Sequence, residues 1–201
     1  MNNKTGMYAS LVTLAAVVVF AVSMIVGNSS VSYLASMFIA WGFIPMIGAF
    51  VADSEKESKA VSYTALVFAA IYGTLIMIVY FAQLTVVRLA NLSLPIAQIL
   101  DYQKFGLFFS YNLLGYGFMA LTTFFIALSF KAESKADKAL KVLLLVHGLF
   151  AISCLVIPMM GIFSSDMAGS GLIGILVLEF WCAYFIPVCI LSFLHFKNQR
   201  L

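Results

Sequence analysis

The stretch MYASLVTLAAVVVFAVSMIVG, residues 7–27, carries no charged side chain from end to end. At a rise of about 1.5 Å per residue, about 20 such residues span the hydrocarbon core of a bilayer. This run is also longer than the core of a signal peptide, so it is expected to remain as a first membrane span behind Lys4. Outward from it the pattern repeats. Apolar runs follow at about 31–52, 60–83, 105–130, 142–163 and 171–196, separated by Asn28-Ser29-Ser30, the charged DSEKESK (53–59), a longer segment (about 85–104), the basic KAESKADKALK (131–141) and SSDMAGS (164–170). The expectation is an all-α, six-helix transmembrane bundle forming one integral membrane domain over residues 1–201.

Composition points the same way. Hydrophobic residues make up 64% of the chain, charged residues only 9%, and the mean hydropathy is +1.08. A soluble domain could not cover so apolar a core with so few polar side chains. The net charge of +3 is dispersed in short clusters between spans and forms no basic stripe, so nucleic acid is excluded as a partner and the lipid bilayer is the expected one. Cys154, Cys182 and Cys189 lie inside apolar runs without metal or redox spacing and read as packing residues.

Counting Lys and Arg on alternate sides gives orientation. Lys4, Lys56, Lys59, Lys131, Lys135, Lys138, Lys141, Lys197 and Arg200 fall on one side, and Arg88 and Lys104 on the other. The positive-inside rule then places both termini in the cytoplasm. Glycosylation sequons at Asn28 and Asn91 fall on the outer side, where such triplets also arise by chance.

The segment TVVRLANLSLPIAQILDYQK (85–104) is too apolar for a solvated loop. Ser93 and Pro95 offer a helix start, giving either an interfacial helix or a flap over an outward-facing pocket. A second pattern concerns IPMIGAFVAD (44–53) and IPMMGIFSSD (157–166), which match at six positions. In the expected topology the two run antiparallel, as an inverted three-plus-three repeat requires, although the flanking spans do not match. Pro45, Pro158 and Pro187 are expected to kink their helices.

Glu179 is the acidic residue in the middle of a span, about 12 Å below the outer surface. A carboxylate there must be protonated, paired or facing a wet cavity. Gln83, Arg88, Asn112 and Tyr116 lie in the same outer half, so with Glu179 they form a candidate outward-opening ligand site. Each amide or phenol taken singly reads equally well as interhelical glue. His147 and His195 lie toward the cytoplasmic side. Histidines on neighbouring helices can ligate haem or a metal, and the alternative is that His195 simply sits in the interface beside Lys197. Ser32-Ser36-Ala40 and Ala65-Ala69-Gly73 place small residues at four-residue spacing, as close helix contacts require.

YFAQLTVVRL, LGYGFMALTTFFIAL and FWCAYFIPVCILSFLHFK together resemble small six-span bacterial membrane proteins of no assigned activity. The resemblance covers most of the chain, implies a bacterial cytoplasmic membrane, and implies no cofactor or site residue. No short catalytic or phosphate-loop motif is present. The functional expectation is binding or transport of a small solute through an outer-half polar pocket. A non-transporting membrane subunit, sensor or immunity-type factor is the alternative, and a membrane enzyme acting on a lipid-like substrate through the Glu179 carboxyl is the weaker one.

Overall fold

The computed structural model describes residues 1–161 and 170–199, which are helical with no strand among them. The helices are α1 (Asn2–Ile25), α2 (Ser29–Asp53), α3 (Lys59–Ala82), α4 (Leu94–Leu100), α5 (Leu107–Ser129), α6 (Lys135–His147), α7 (Phe150–Met159) and α8 (Ser170–Asn198). Six segments are long and apolar enough to cross a membrane, with α6 and α7 together forming the fifth.

The spans pack in chain order around a ring. α1 lies on α2, α2 on α3, α3 on α5, α5 on α6 and α7, and α8 closes the circle against α1 and α6. The small-residue stripes face the interior: Ser36 and Ala40 of α2 and Ala65 and Ala69 of α3 are fully buried. Phe43, Phe50, Tyr72 and Phe185 fill the interior between these stripes. Both termini lie on one face, where the Asn3 side-chain amide donates to the Gln199 carbonyl at 3.2 Å. We call this the terminal face and its opposite the far face.

Lysines close helix ends on the terminal face. Lys59 Nζ donates to the Val51 carbonyl at 2.7 Å and Lys141 Nζ to the Phe130 carbonyl at 3.2 Å, supplying donors to carbonyls that have no partner inside the helix. The start of α6 is held by a capping box: Asp137 N–H donates to Ser134 Oγ at 3.0 Å, and Asp137 Oδ2 accepts from Ser134 N–H at 3.0 Å.

The fifth apolar run, read as one span, is two helices. The α6–α7 junction tightens into i to i+3 bonds from Gly148, Leu149, Ala151 and Ile152. Gly148 is required there, because a Cβ would stand 2.8 Å from Phe124 Cβ on α5. The prolines behave differently from one another. α2 and α8 continue as helix through Pro45 and Pro187, while Pro158 is next to last in α7.

The doubled stretch diverges in conformation. Gly48 of the first copy lies within α2, whereas its counterpart Gly161 has φ +66 just beyond the end of α7. Residues 162–166 of the second copy lie outside the described residues, as does most of the SSDMAGS break.

Candidate functional site: two adjoining pockets at the far face

The segment between α3 and α5 builds the far face. After α3 the chain makes a π-helical turn over Gln83–Val87, with α4 following from Ser93 as N-cap and Pro95 in its first turn. Gln83, only 2% exposed, fastens this segment to the bundle. Its Nε2 donates to the Leu100 carbonyl at 2.7 Å and its Oε1 accepts from Tyr102 N–H at 3.0 Å. Gly106 permits the turn into α5, since a Cβ would collide with the Gln98 carbonyl.

Beneath this segment lies a cavity of about 480 Å³. The end of α1 (Ser23, Met24), the start of α2 (Ser29, Ser32, Tyr33), the start of α5 (Phe109, Leu113) and α8 from Ile173 to Leu178 form its walls, and Tyr102, Gln103 and Phe105 cover it. Its lining is mainly hydrocarbon and aromatic, with hydroxyls along the α1–α2 side. Tyr33, Tyr80 and Tyr102 group at one edge, with ring centroids 5.4 to 6.1 Å apart. Desolvation holds the Tyr102 phenol well above the usual tyrosine range, so it remains a neutral hydroxyl.

A second, smaller cavity of about 200 Å³ adjoins the first. The two share Ser29, Tyr33 and Gln103, and the smaller adds Ser30, Gln83, Val87, Arg88 and Asp101. Asp101 Oδ1 accepts from the Gln103 backbone N–H at 2.9 Å. Arg88 is exposed and belongs to no ion pair among the described residues.

The structure thus divides the five residues expected to converge. Gln83 and Arg88 line the small cavity. Asn112, 1% exposed, and Tyr116 are packed in the bundle, where Tyr116 lies between Tyr72 and Trp181 at ring distances of 5.9 and 5.5 Å. Glu179 follows Leu178, the last cavity residue on α8. Asn112 Oδ1, Tyr116 Oη and Glu179 Oε1 are buried without a hydrogen-bond partner among the described residues. Gln83 and Arg88 therefore share a wall, whereas neither of these two cavities is lined by all five. Tyr33 and Gln103, which line both cavities, and Tyr102, which lines the larger one, were missed at the sequence level. Their only signal was position, Tyr33 one turn after Ser29 and Tyr102 beside Asp101.

The histidines stand in two separate networks. His147, 1% exposed, accepts at Nε2 from Trp181 Nε1 at 3.1 Å, because an indole nitrogen can only donate. The remaining proton is thereby placed on Nδ1, 2.8 Å from Thr123 Oγ1, which in turn donates to the Ala120 carbonyl at 2.8 Å. His195 instead faces Asp137 and Asp53 on the terminal side. Each imidazole has its nitrogens occupied by protein groups, and no cluster of three or more metal-ligating side chains occurs among the described residues.

No protein-family profile matches this chain, and neither a curated protein nor a solved structure shows significant similarity to it.

Proposed function

We propose that this protein binds a small, mainly apolar molecule inside the far end of its helical ring. The observation that carries this reading is the cavity of about 480 Å³ walled by four spans and covered by the segment after α3. Its volume falls within the range of about 300–1,000 Å³ typical of ligand sites, and its largely apolar lining with a few placed hydroxyls fits that class. This reading departs from the polar solute pocket expected at Glu179, Gln83, Arg88, Asn112 and Tyr116, because the walls of the large cavity suit hydrocarbon better than a polar solute.

In this reading the terminal face is cytoplasmic, supported by the nine-to-two division of Lys and Arg, and the cavity opens toward the outer leaflet of a bacterial cytoplasmic membrane. Transport, if the bound molecule crosses, requires the terminal face to open in turn. That face is held by the His195 network with Asp53 and Asp137.

Gly174 offers the test. It lines the cavity, and a Cβ added there meets no atom of the described residues within 4 Å. Gly174→Trp should therefore fill the space without disturbing the walls. Ligand-induced rises in melting temperature, screened with hydrophobic and amphipathic compounds on the purified protein, are expected for wild type and absent in Gly174→Trp. Equal rises in both proteins would remove the cavity as the binding site.

A further inference from the structure

We infer that the ligand is an anionic amphiphile, with its charged head in the small cavity at Arg88 and its hydrocarbon in the large one. The inference rests on the cavity reading above and adds the chemical class and the orientation of the molecule.

Three observations support it. First, the cavities are neighbours with a common wall, Ser29, Tyr33 and Gln103, while their linings differ sharply in character. Two residues of that wall touch, Gln103 Nε2 donating to Ser29 Oγ at 3.4 Å, so a molecule that occupies both cavities displaces this long contact and is apolar at one end and polar at the other. Second, the polar chamber is built on fixed parts. Gln83 has both ends of its amide committed to backbone groups of the covering segment, and Asp101 is committed through Oδ1 to the turn at Gln103. Neither Arg88 nor Asp101 belongs to an ion pair among the described residues, but Arg88 is the chamber's cation, and a guanidinium matches phosphate or carboxylate through paired N–H donors.

Third, size agrees with a compact head. At about 30 Å³ per water in the liquid, a cavity of about 200 Å³ equals the space of about seven waters, enough for a phosphate or carboxylate group with a short substituent. Asp101 shares this chamber, so the site would select a single anionic group set against Arg88 and disfavour a highly charged head.

The experiment uses the full chain in a neutral detergent with four probes of equal chain length: dodecyl phosphate, dodecanoate, dodecyltrimethylammonium and dodecanol. Binding is read by calorimetry and by melting temperature. Wild type should bind one or both anions at least tenfold more tightly than the cation or the alcohol, and the order of phosphate and carboxylate separates a phospholipid-like head from a fatty acid. Arg88→Gln should lose that preference and retain binding at the level of the alcohol. Gly174→Trp should lose all four.

The inference is overturned if wild type binds no probe, if the cation or alcohol binds as well as the anions, or if Arg88→Gln keeps the wild-type preference. A different failure isolates the underlying reading: an anion preference that persists in Gly174→Trp means a surface head-group site with no chain in the cavity.

Discussion

His195 Nδ1 stands 2.8 Å from Asp137 Oδ1, joining the last helix to the first turn of α6 across 58 residues of sequence. Nε2 of the same ring lies 3.2 Å from Asp53 Oδ2 and 3.2 Å from the Gln199 amide, which itself donates to Asp53 at 2.7 Å. Phe50 stacks on the ring at 5.4 Å, and Phe130 meets it edge-on at 5.3 Å. As an imidazolium the ring donates to both carboxylates. As a neutral ring it donates to Asp137 and accepts from Gln199. In either form three helices are tied together in an apolar box.

Replacing His195 with Phe should destabilise the bundle. Breaking a fully buried charged pair costs about 3–5 kcal/mol. The Asp53 and Asp137 side chains retain 28% and 14% exposure, so solvent screening reduces the expected loss to about 1–3 kcal/mol. Thermal unfolding in detergent measures it. A double-mutant cycle of His195→Gln with Asp137→Asn should show coupling of about 0.5 kcal/mol or more, and strictly additive losses would mean that the contact contributes nothing of its own.

Trp181→Phe should leave His147 Nε2 without its donor, at a cost of about 1–3 kcal/mol. Nitrogen NMR of wild type should show the proton on Nδ1 and a bare Nε2. A protonated Nε2 would contradict the donor chain from Trp181 through His147 to Thr123.

Gln83→Leu removes both bonds that fasten the segment after α3. Amide exchange across residues 94–104 should accelerate by tenfold or more, while the core of α2 keeps its protection. Unchanged exchange in that segment would show that its packing alone holds it.

Glu179→Leu should raise the melting temperature of the unliganded protein, because Oε1 of this half-buried side chain is enclosed without a partner among the described residues, and an unpaired carboxyl oxygen in apolar surroundings is costly. Probe binding should survive the change, since Glu179 lies outside both cavity linings. Loss of binding would return this carboxyl to the ligand site.

The number of spans was legible because lipid imposes a length on every apolar run, and six helical segments of membrane length occur among the described residues. The helix start at Ser93 was legible for a local reason, its N-cap and proline signature. The break at Gly148 was not, because a lone glycine in an apolar run signals nothing until the ring of Phe124 arrives from another helix. The division of the polar residues was also hidden. Gln83 and Asn112 look equivalent as isolated amides near the same end of their spans, yet one reaches backbone groups 17 and 19 residues away and the other stays in the core. His195 finds Asp53 across 142 residues, a pairing that depends on the order of helices around the ring, which periodicity does not contain.

That ring order has a consequence for the chain's connectivity. With α1 beside α8, Asn3 bonded to Gln199 and each span next to its successor, the described helices form a closed cycle of neighbours. A short linker from Gln199 to Asn3 would close the cycle covalently, with new ends opened in the turn at Ser54–Lys56 on the same face. Such a circular permutant would keep every helix neighbour and the same division of positive charge between the two faces.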